Sequence, residues 1–339
     1  MNNVKKSQPI SGRDTCWVFR SIMEKIFIIL LFLSNCCYGQ SLKTFNNGEI
    51  QLFYEEFGKG PALYILTGGP GAPPENPGHQ FIDSLKSFYT CILLHQRGSG
   101  KSRNIPINAQ TININNYLQD IELLRKKRND KKIVLLGISW GGILAMNYTS
   151  LYPMHVSQLI LICSGPPSYK LWDVLFDNQY VRRSVTELDS MRILKEIFTV
   201  KTDKELDSLK RVDPSSKEVV AFKNFIAIHI RVMHYDRLKS SSEFDEFFTN
   251  FNFQPIPFID KEVIETKWDI TADLKKSNVP ALIIYGRQDD QGESTFFLQK
   301  ECLKNSEMHV IEKCGHLIWE DQPKEFYRIL MKYLTKKQK

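Results

Sequence analysis

Four short runs that are apolar at nearly every position, at 62–66, 91–94, 133–136 and 159–162, are separated by segments of helical length at about 78–88, 115–128 and 140–152. This alternation constrains the fold more tightly than any other feature of the chain. A strand with no polar face is covered on both sides, and strands joined by helices run parallel because each helix returns the chain to the same edge of the sheet. The spacing therefore predicts an α/β fold, a mostly parallel sheet with helices on both faces. A hairpin is expected over 43–57, turning at Asn46-Asn47-Gly48-Glu49. From about 165 to 270 the strand-like runs stop and amphipathic stretches at 189–199 and 219–235 replace them. Strand-like runs return at 281–285 and 308–311, and a helix closes the chain at 323–334. The expected organisation is a core over 40–165 and 269–339, interrupted by an inserted helical cap over 166–268.

One loop at a strand end carries chemistry. The segment Gly137-Ile138-Ser139-Trp140-Gly141-Gly142 stands between the third apolar run and its helix. A serine on a sharp strand-to-helix turn needs neighbours without side chains two residues to either side, and Gly137 and Gly141 supply them. Such a turn exposes the hydroxyl above the sheet and aims the Trp140 N–H, at a helix N-terminus, where an oxyanion would form. Taken alone, the same letters also suit a glycine-rich helix N-terminus capped by Ser139.

The rest of a catalytic set follows in order. After the run at 281–285 comes Gly286-Arg287-Gln288-Asp289-Asp290, and after the run at 308–311 comes Glu312-Lys313-Cys314-Gly315-His316. Loops that follow late parallel strands open on the same edge as Ser139. His316 is the expected general base and Asp289 its orienting carboxylate, preferred over Asp290 because its spacing from Gly286 puts it at the strand-end turn. The loop Thr67-Gly68-Gly69-Pro70-Gly71 is the expected source of a second oxyanion donor, the Gly69 N–H, beside that of Trp140. The order serine, aspartate, histidine is that of the α/β-hydrolases. His79, His95, His155, His229, His234 and His309 lack a comparable setting and are expected on the surface or in packing.

Together these segments resemble the proline iminopeptidase branch of the α/β-hydrolases. That family's H-G-G-P-G loop is similar to Thr67-Gly68-Gly69-Pro70-Gly71, its D-Q-R-G-x-G-x-S segment to His95-Gln96-Arg97-Gly98-Ser99-Gly100-Lys101-Ser102, and its G-G-S-W-G-G elbow to Gly137 through Gly142. The likeness extends through Asp120-Ile121-Glu122-Leu123-Leu124-Arg125, Trp268-Asp269-Ile270 and Val279-Pro280-Ala281. The resemblance implies an aminopeptidase acting through an acyl-enzyme. Three positions depart from it. Thr67 and His95 replace a histidine and an aspartate, and Arg231-Val232-Met233-His234-Tyr235 lacks the glutamate with which the family's aminopeptidases bind a free α-amine. A thioether cannot neutralise a buried ammonium, so strict prolyl specificity is in question. Other acids of the insertion, Glu187, Glu196, Glu218 and Asp236, could substitute for that glutamate, but most are expected on solvated faces, and the aromatics Tyr169, Trp172, Phe176, Phe222, Phe225 and Tyr235 are expected to pack the cap on the core or wall a pocket.

The N-terminus has a separate reading. Met23-Glu24-Lys25 precedes an apolar run at 26–33 that is short for a membrane span, the pattern of a signal peptide cleaved after Gly39, with translation starting at Met23 as an alternative. A competing reading takes Leu33-Ser34-Asn35-Cys36 as a lipoprotein signal that anchors the protein to a membrane through Cys36. Without residues 1–39 the chain keeps 40 basic and 36 acidic side chains, a net charge of +4, and no basic stripe suited to nucleic acid. Cys91 and Cys163 lie in apolar runs and read as buried thiols, while Cys302 and Cys314 are the pair that export would allow to bridge. No signature for a metal or organic cofactor is present, and the expected partner is a small peptide or ester. The functions in competition are a peptidase acting near a free N-terminus, a carboxylesterase, and an inactive hydrolase-fold binding module.

Overall fold

The structure, a computed structural model, describes residues 41–238 and 244–336. The expected signal peptide, the alternative start at Met23 and the lipoprotein cysteine Cys36 lie outside the described residues. Among the described residues no helix is long and apolar enough to cross a membrane.

Eight strands form one sheet: β1 (Ser41–Asn47), β2 (Ile50–Phe57), β3 (Ala62–Leu66), β4 (Thr90–His95), β5 (Ile133–Ile138), β6 (Val156–Ile162), β7 (Ala281–Gly286) and β8 (Ser306–Ile311). Their order across the sheet is β1-β2-β4-β3-β5-β6-β7-β8. β2 pairs antiparallel to β4, and every pairing from β4 through β8 is parallel. Every residue of β3, β5 and β7 is buried, which is why these strands read as unbroken apolar runs. Helices Glu75–Leu85, Ile114–Arg128, Trp140–Leu151, Glu293–Cys302 and Pro323–Lys336 complete the core. The helix Ile114–Arg128 is set by its ends: the Asn113 side chain accepts the Asn116 N–H, and Asn129 takes the left-handed conformation that stops it.

The chain leaves β3 for β4 on one side of it, whereas β5 lies on the other. The crevice of a doubly wound sheet opens at such a reversal, between the loops that follow the two diverging strands. Here those are the loops after β3 and β5, which carry Thr67 to Gly71 and Ser139.

Between β6 and β7 the chain is helical, with helices Val174–Val181, Val185–Phe198, Asp203–Val212, Lys217–Met233, Phe244–Asn250 and Ile256–Glu265. Two of them start with capping boxes, on Ser184 with Glu187 and on Thr202 with Glu205. The roots of this insertion are pinned to each other: Ser168 bridges to Asp269, and Tyr169 N–H donates to Trp268 O at 2.7 Å. Phe198, Leu206, Val219, Phe222 and Phe248 form an apolar cluster separate from the main core. Ile259 and Val263, in contrast, belong to the main core.

Cys302 and Cys314 do not bridge. All four described cysteines are buried, and none forms a disulfide. Cys302 precedes β8 and Cys314 follows it. Six extended residues span about 20 Å, whereas a disulfide needs its Cα atoms within about 7 Å.

Candidate active site

Ser139 has φ 52° and ψ −118°, a combination that costs a non-glycine residue about 1–3 kcal/mol. The packing around it enforces the turn. A methyl group on Gly137 would stand 2.4 Å from Gly141 O, and one on Gly141 would stand 2.0 Å from Leu66 O. The Ser139 N–H donates to Ile162 O at 3.0 Å, and its carbonyl accepts from Gly165 N–H at 3.2 Å, so the end of β6 also grips the elbow. Ser139 is half-buried, and Trp140 opens the next helix, where its N–H has no intrahelical acceptor. An N-terminal glycine-rich helix does follow, but the Ser139 side chain makes no capping bond to it.

Asp289 and His316 meet. His316 Nδ1 lies 2.9 Å from Asp289 Oδ1, and both side chains are excluded from water. Asp289 is held in turn by Gln291 N–H at 3.0 Å, and the Cys163 thiol lies close by. Burial alone would raise the Asp289 pKa, yet the neighbouring imidazole and these donors hold it below the ordinary range. Burial would lower the imidazole pKa, but the charges of Asp289 and Asp290 and the Asp289 hydrogen bond outweigh it and raise it.

Asp290 is nearer to the base than its rank in the sequence suggested. Its Oδ1 lies 3.4 Å from His316 Nδ1, longer than the Asp289 contact, and its Oδ2 accepts from Gln179 Nε2 at 2.7 Å. Burial and the adjacent Asp289 push its pKa up to about 6, against the lowering effect of His316. The two aspartates therefore differ in their contacts: Asp289 makes the shorter bond to the imidazole, and Asp290 links the imidazole to Gln179 of the insertion.

The insertion grips both loops. Asn178 Nδ2 donates to Asp290 O at 3.0 Å, and Arg182 donates to Gln288 O and, at 2.9 Å, to His234 O. Met233 O accepts the His316 N–H at 2.7 Å, and its approach leaves no room for a side chain on Gly315, where a Cβ would stand 2.1 Å away. Thus Met233, which stands where the family's amine-binding glutamate would be sought, contributes its carbonyl to the histidine loop. Nothing in the one-dimensional pattern marks Gln179 or the Met233 carbonyl, because both act across about 80–110 residues of chain.

The loop after β3 has Gly69 at φ +119° and lies against the elbow, with the Cβ position of Gly68 3.5 Å from Ser139 Cβ. On the insertion side, Asn252 N–H donates to Gly71 O at 2.9 Å and Asn252 Nδ2 to Gly98 O at 2.8 Å. Two of the departures from the family pattern, Thr67 and His95, are buried. Thr67 offers its carbonyl to Gln96. His95 Nδ1 accepts the Lys101 N–H at 3.1 Å, so its Nε2 carries the proton that faces Glu55 Oε1 at 3.0 Å.

Among the described residues, two groups of side chains offer metal-ligand atoms at close range, Cys163 with Asp289 and His316, and Glu55 with Glu75 and His95. In each the imidazole is already engaged in hydrogen bonds to a carboxylate or a backbone N–H. The donor sets read as orienting pairs.

The insertion's acids and aromatics sort differently from expectation. Glu187 is half-buried rather than solvated, paired with Arg237 and with the Ser184 N–H at 2.9 Å, while Glu196 and Asp236 are exposed. Phe222 and Phe225 pack on Phe198 inside the insertion rather than on the core, because the separate apolar cluster needs them. Tyr169 and Trp172 do lie against the core, and Phe176 and Tyr235 are exposed. Next to His316, Leu317 joins Ile230, Phe244 and Phe247 around a cavity of about 60 Å³, and a wider cleft of about 560 Å³ is lined by Glu75, His79, Lys101, Arg103 and Glu246.

Comparison with known proteins agrees with this architecture. The chain is 29% identical to a proline iminopeptidase of Saccharolobus solfataricus over 81% of its own length and 86% of the relative's. It is 23% identical to monoacylglycerol lipase ABHD6 of Homo sapiens over 68% of its own length and 62% of that protein. Among solved structures, proline iminopeptidase of Mycobacterium smegmatis superimposes with a TM-score of 0.63 at 18% identity, covering 87% of this chain and 98% of the other. The alpha/beta hydrolase fold model matches residues 61–323, and on that match the chain belongs to the α/β-hydrolase fold family, with proline iminopeptidases among its relatives.

Proposed function

We propose that Ser139 is a nucleophile whose proton is taken by His316, that Asp289 holds the imidazole in the required tautomer, and that the N–H groups of Gly69 and Trp140 bind the oxyanion. The observation that carries this reading is the 2.9 Å His316–Asp289 bond on the sheet edge where Ser139 is held at positive φ. Ser139 Oγ attacks a carbonyl carbon as its proton passes to His316. The imidazolium then protonates the leaving amine or alcohol, and water, deprotonated by the same imidazole, hydrolyses the acyl-enzyme. Asp289 remains ionised and stabilises the imidazolium in both halves.

The leading substrate class is a peptide with a free N-terminus, supported by the motifs shared with proline iminopeptidases and by relatives of that name. An ammonium needs a carboxylate to neutralise it. Glu187 is engaged by Arg237, so Glu75 and Glu246, which line the wider cleft, are the acids we assign to that task. A carboxylesterase is the second reading, supported by the similarity to a lipase and by the mostly apolar cavity beside Leu317. The helical insertion acts as the cap over this site, and the N-terminal pattern supports export, either as a soluble protein or anchored through Cys36.

Turnover of proline-β-naphthylamide set against p-nitrophenyl acetate separates the two activities: the peptidase reading expects the amide to be cleaved and Glu246→Gln to raise its KM. Ester turnover without any N-terminal peptide cleavage would sink it. A fluorophosphonate probe should label the folded protein and fail on Ser139→Ala, and a folded protein that takes no label would instead be a binding module. Mass spectrometry of the mature N-terminus separates cleavage after Gly39 from acylation of Cys36.

A further inference from the structure

Gln96 follows β4 and is buried between two loops that the sheet does not join. The β3–β5 ladder ends at Leu66 paired with Gly137, so Thr67 to Gly71 and Ser139 to Trp140 extend beyond the last backbone pairing. Gln96 spans that gap. Its Nε2 donates to Thr67 O at 2.9 Å, and its Oε1 accepts from the Trp140 indole Nε1 at 3.0 Å. An indole N–H only donates and a carbonyl only accepts, so one orientation of the amide satisfies both contacts.

The residue is itself fixed. Its carbonyl accepts from Ser99 N–H at 2.9 Å and Ser99 Oγ at 2.8 Å. The next residue, Arg97, makes a buried two-pronged pair with Asp120, both contacts 2.6 Å. Tyr117 stacks edge-on against Trp140 with centroids 5.5 Å apart and donates its hydroxyl to Arg97 O at 3.1 Å. A rigid side chain on a rigid loop thus touches the residue two before Gly69 and the side chain of Trp140.

We infer that Gln96 is a positioning residue that sets the separation and aim of the Gly69 and Trp140 N–H groups. This rests on the assignment of those groups as the oxyanion donors. Oxyanion stabilisation depends on donors held within about 0.5 Å of their productive places, and here they come from loops that follow different strands, beyond the last β3–β5 backbone pairing. The inference also accounts for the tolerance of threonine at position 67, since Gln96 reads the carbonyl and not the side chain. Asparagine would fall short by one methylene, and a residue of purely structural use would affect stability without touching transition-state affinity.

The test compares Gln96→Leu, which keeps the volume and removes both bonds, with Gln96→Glu, which keeps the acceptor for the indole and sets a carboxylate against Thr67 O. Kinetics on p-nitrophenyl acetate, inhibition by phenylboronic acid and thermal unfolding are measured on both. The expected result for Gln96→Leu is a kcat loss of about 10–100-fold with KM within about twofold, and a phenylboronate inhibition constant raised by the same factor as kcat falls. Gln96→Glu should show a loss of the same kind, and it carries the test if the leucine variant does not fold. A folded variant with wild-type kcat and boronate affinity, or one whose kcat falls while boronate binding is untouched, overturns the inference. A wild-type protein with neither ester turnover nor fluorophosphonate labelling would instead overturn the serine hydrolase reading on which it rests.

Discussion

In the core, one methyl group has no place to go: a Cβ on Gly141 would lie 2.0 Å from a strand carbonyl. In the helical insertion, Val181, Val185, Val212 and Leu238 leave most of their surface in water. The core builds its candidate site from backbone packed at close range, with Ser139, Asp289 and His316 all on loops that follow strands of the sheet, two of them fully buried. The insertion builds its share from side-chain amides, guanidinium groups and carbonyls that reach across to those loops. The contrast separates two tasks. Close backbone packing leaves little play at the strand-end loops, while longer polar ties hold the helices of the insertion to them.

The sharpest way to test the division is to remove the nucleophile. Ser139→Ala should lower kcat by about 10⁶-fold while the unfolding temperature moves by no more than a few degrees, read by steady-state kinetics and a thermal scan. Asp289→Asn should cost about 10⁴-fold in kcat at constant fold, because it leaves the imidazole in the wrong tautomer. An equal or larger loss in Asp290→Asn would transfer the orienting role to Asp290.

The next pair sets one region against the other in stability. Gly141→Ala should destabilise the whole protein by about 3 kcal/mol or more, measured by denaturant unfolding, since the added carbon meets backbone that cannot yield. Phe222→Ala, in the insertion's own apolar cluster, should cost about 3 kcal/mol locally. Limited proteolysis should then cut the insertion and spare the sheet, whereas simultaneous loss of both would show that they unfold as one unit.

The smallest expected effect lies where the two regions touch. His316 must be neutral to accept a proton, so kcat/KM rises with pH through its pKa. Asp290, charged above about pH 6, helps to hold that pKa up. Asp290→Asn therefore lowers it and should move the acidic limb of the profile about one pH unit lower. A limb that stays in place would confine Asp290 to tying down Gln179.

Much of the core was legible because buried parallel strands leave an unmistakable mark: the run at 62–66 is β3 to the residue, and the other runs fall within β4 to β8. The elbow was legible because glycines two residues to either side of a serine mark a strand-to-helix turn, although the contact that demands Gly141 comes from Leu66 O of another strand. The insertion was legible as helices but not as packing. Phe222 and Phe225 carry no sign in their spacing of whether they face the core or a second cluster, and Cys302 and Cys314 looked close only along the chain. Asp289 and Asp290 could be ranked by spacing, yet the contact of both with His316 appears only when the loops after β7 and β8 are side by side.

By itself the sequence determined the sheet, the helical interruption and the order of the candidate site residues, because each shows in periodicity or in the spacing of a turn. Only the tertiary structure decided what joins those parts: Gln96 between the β3 and β5 loops, Asp290 between His316 and Gln179, and the Met233 carbonyl against the histidine loop. Those contacts are hydrogen bonds and one ion-pair contact between residues tens of positions apart, set by where the packed strands place their ends, and no periodicity in the chain encodes them.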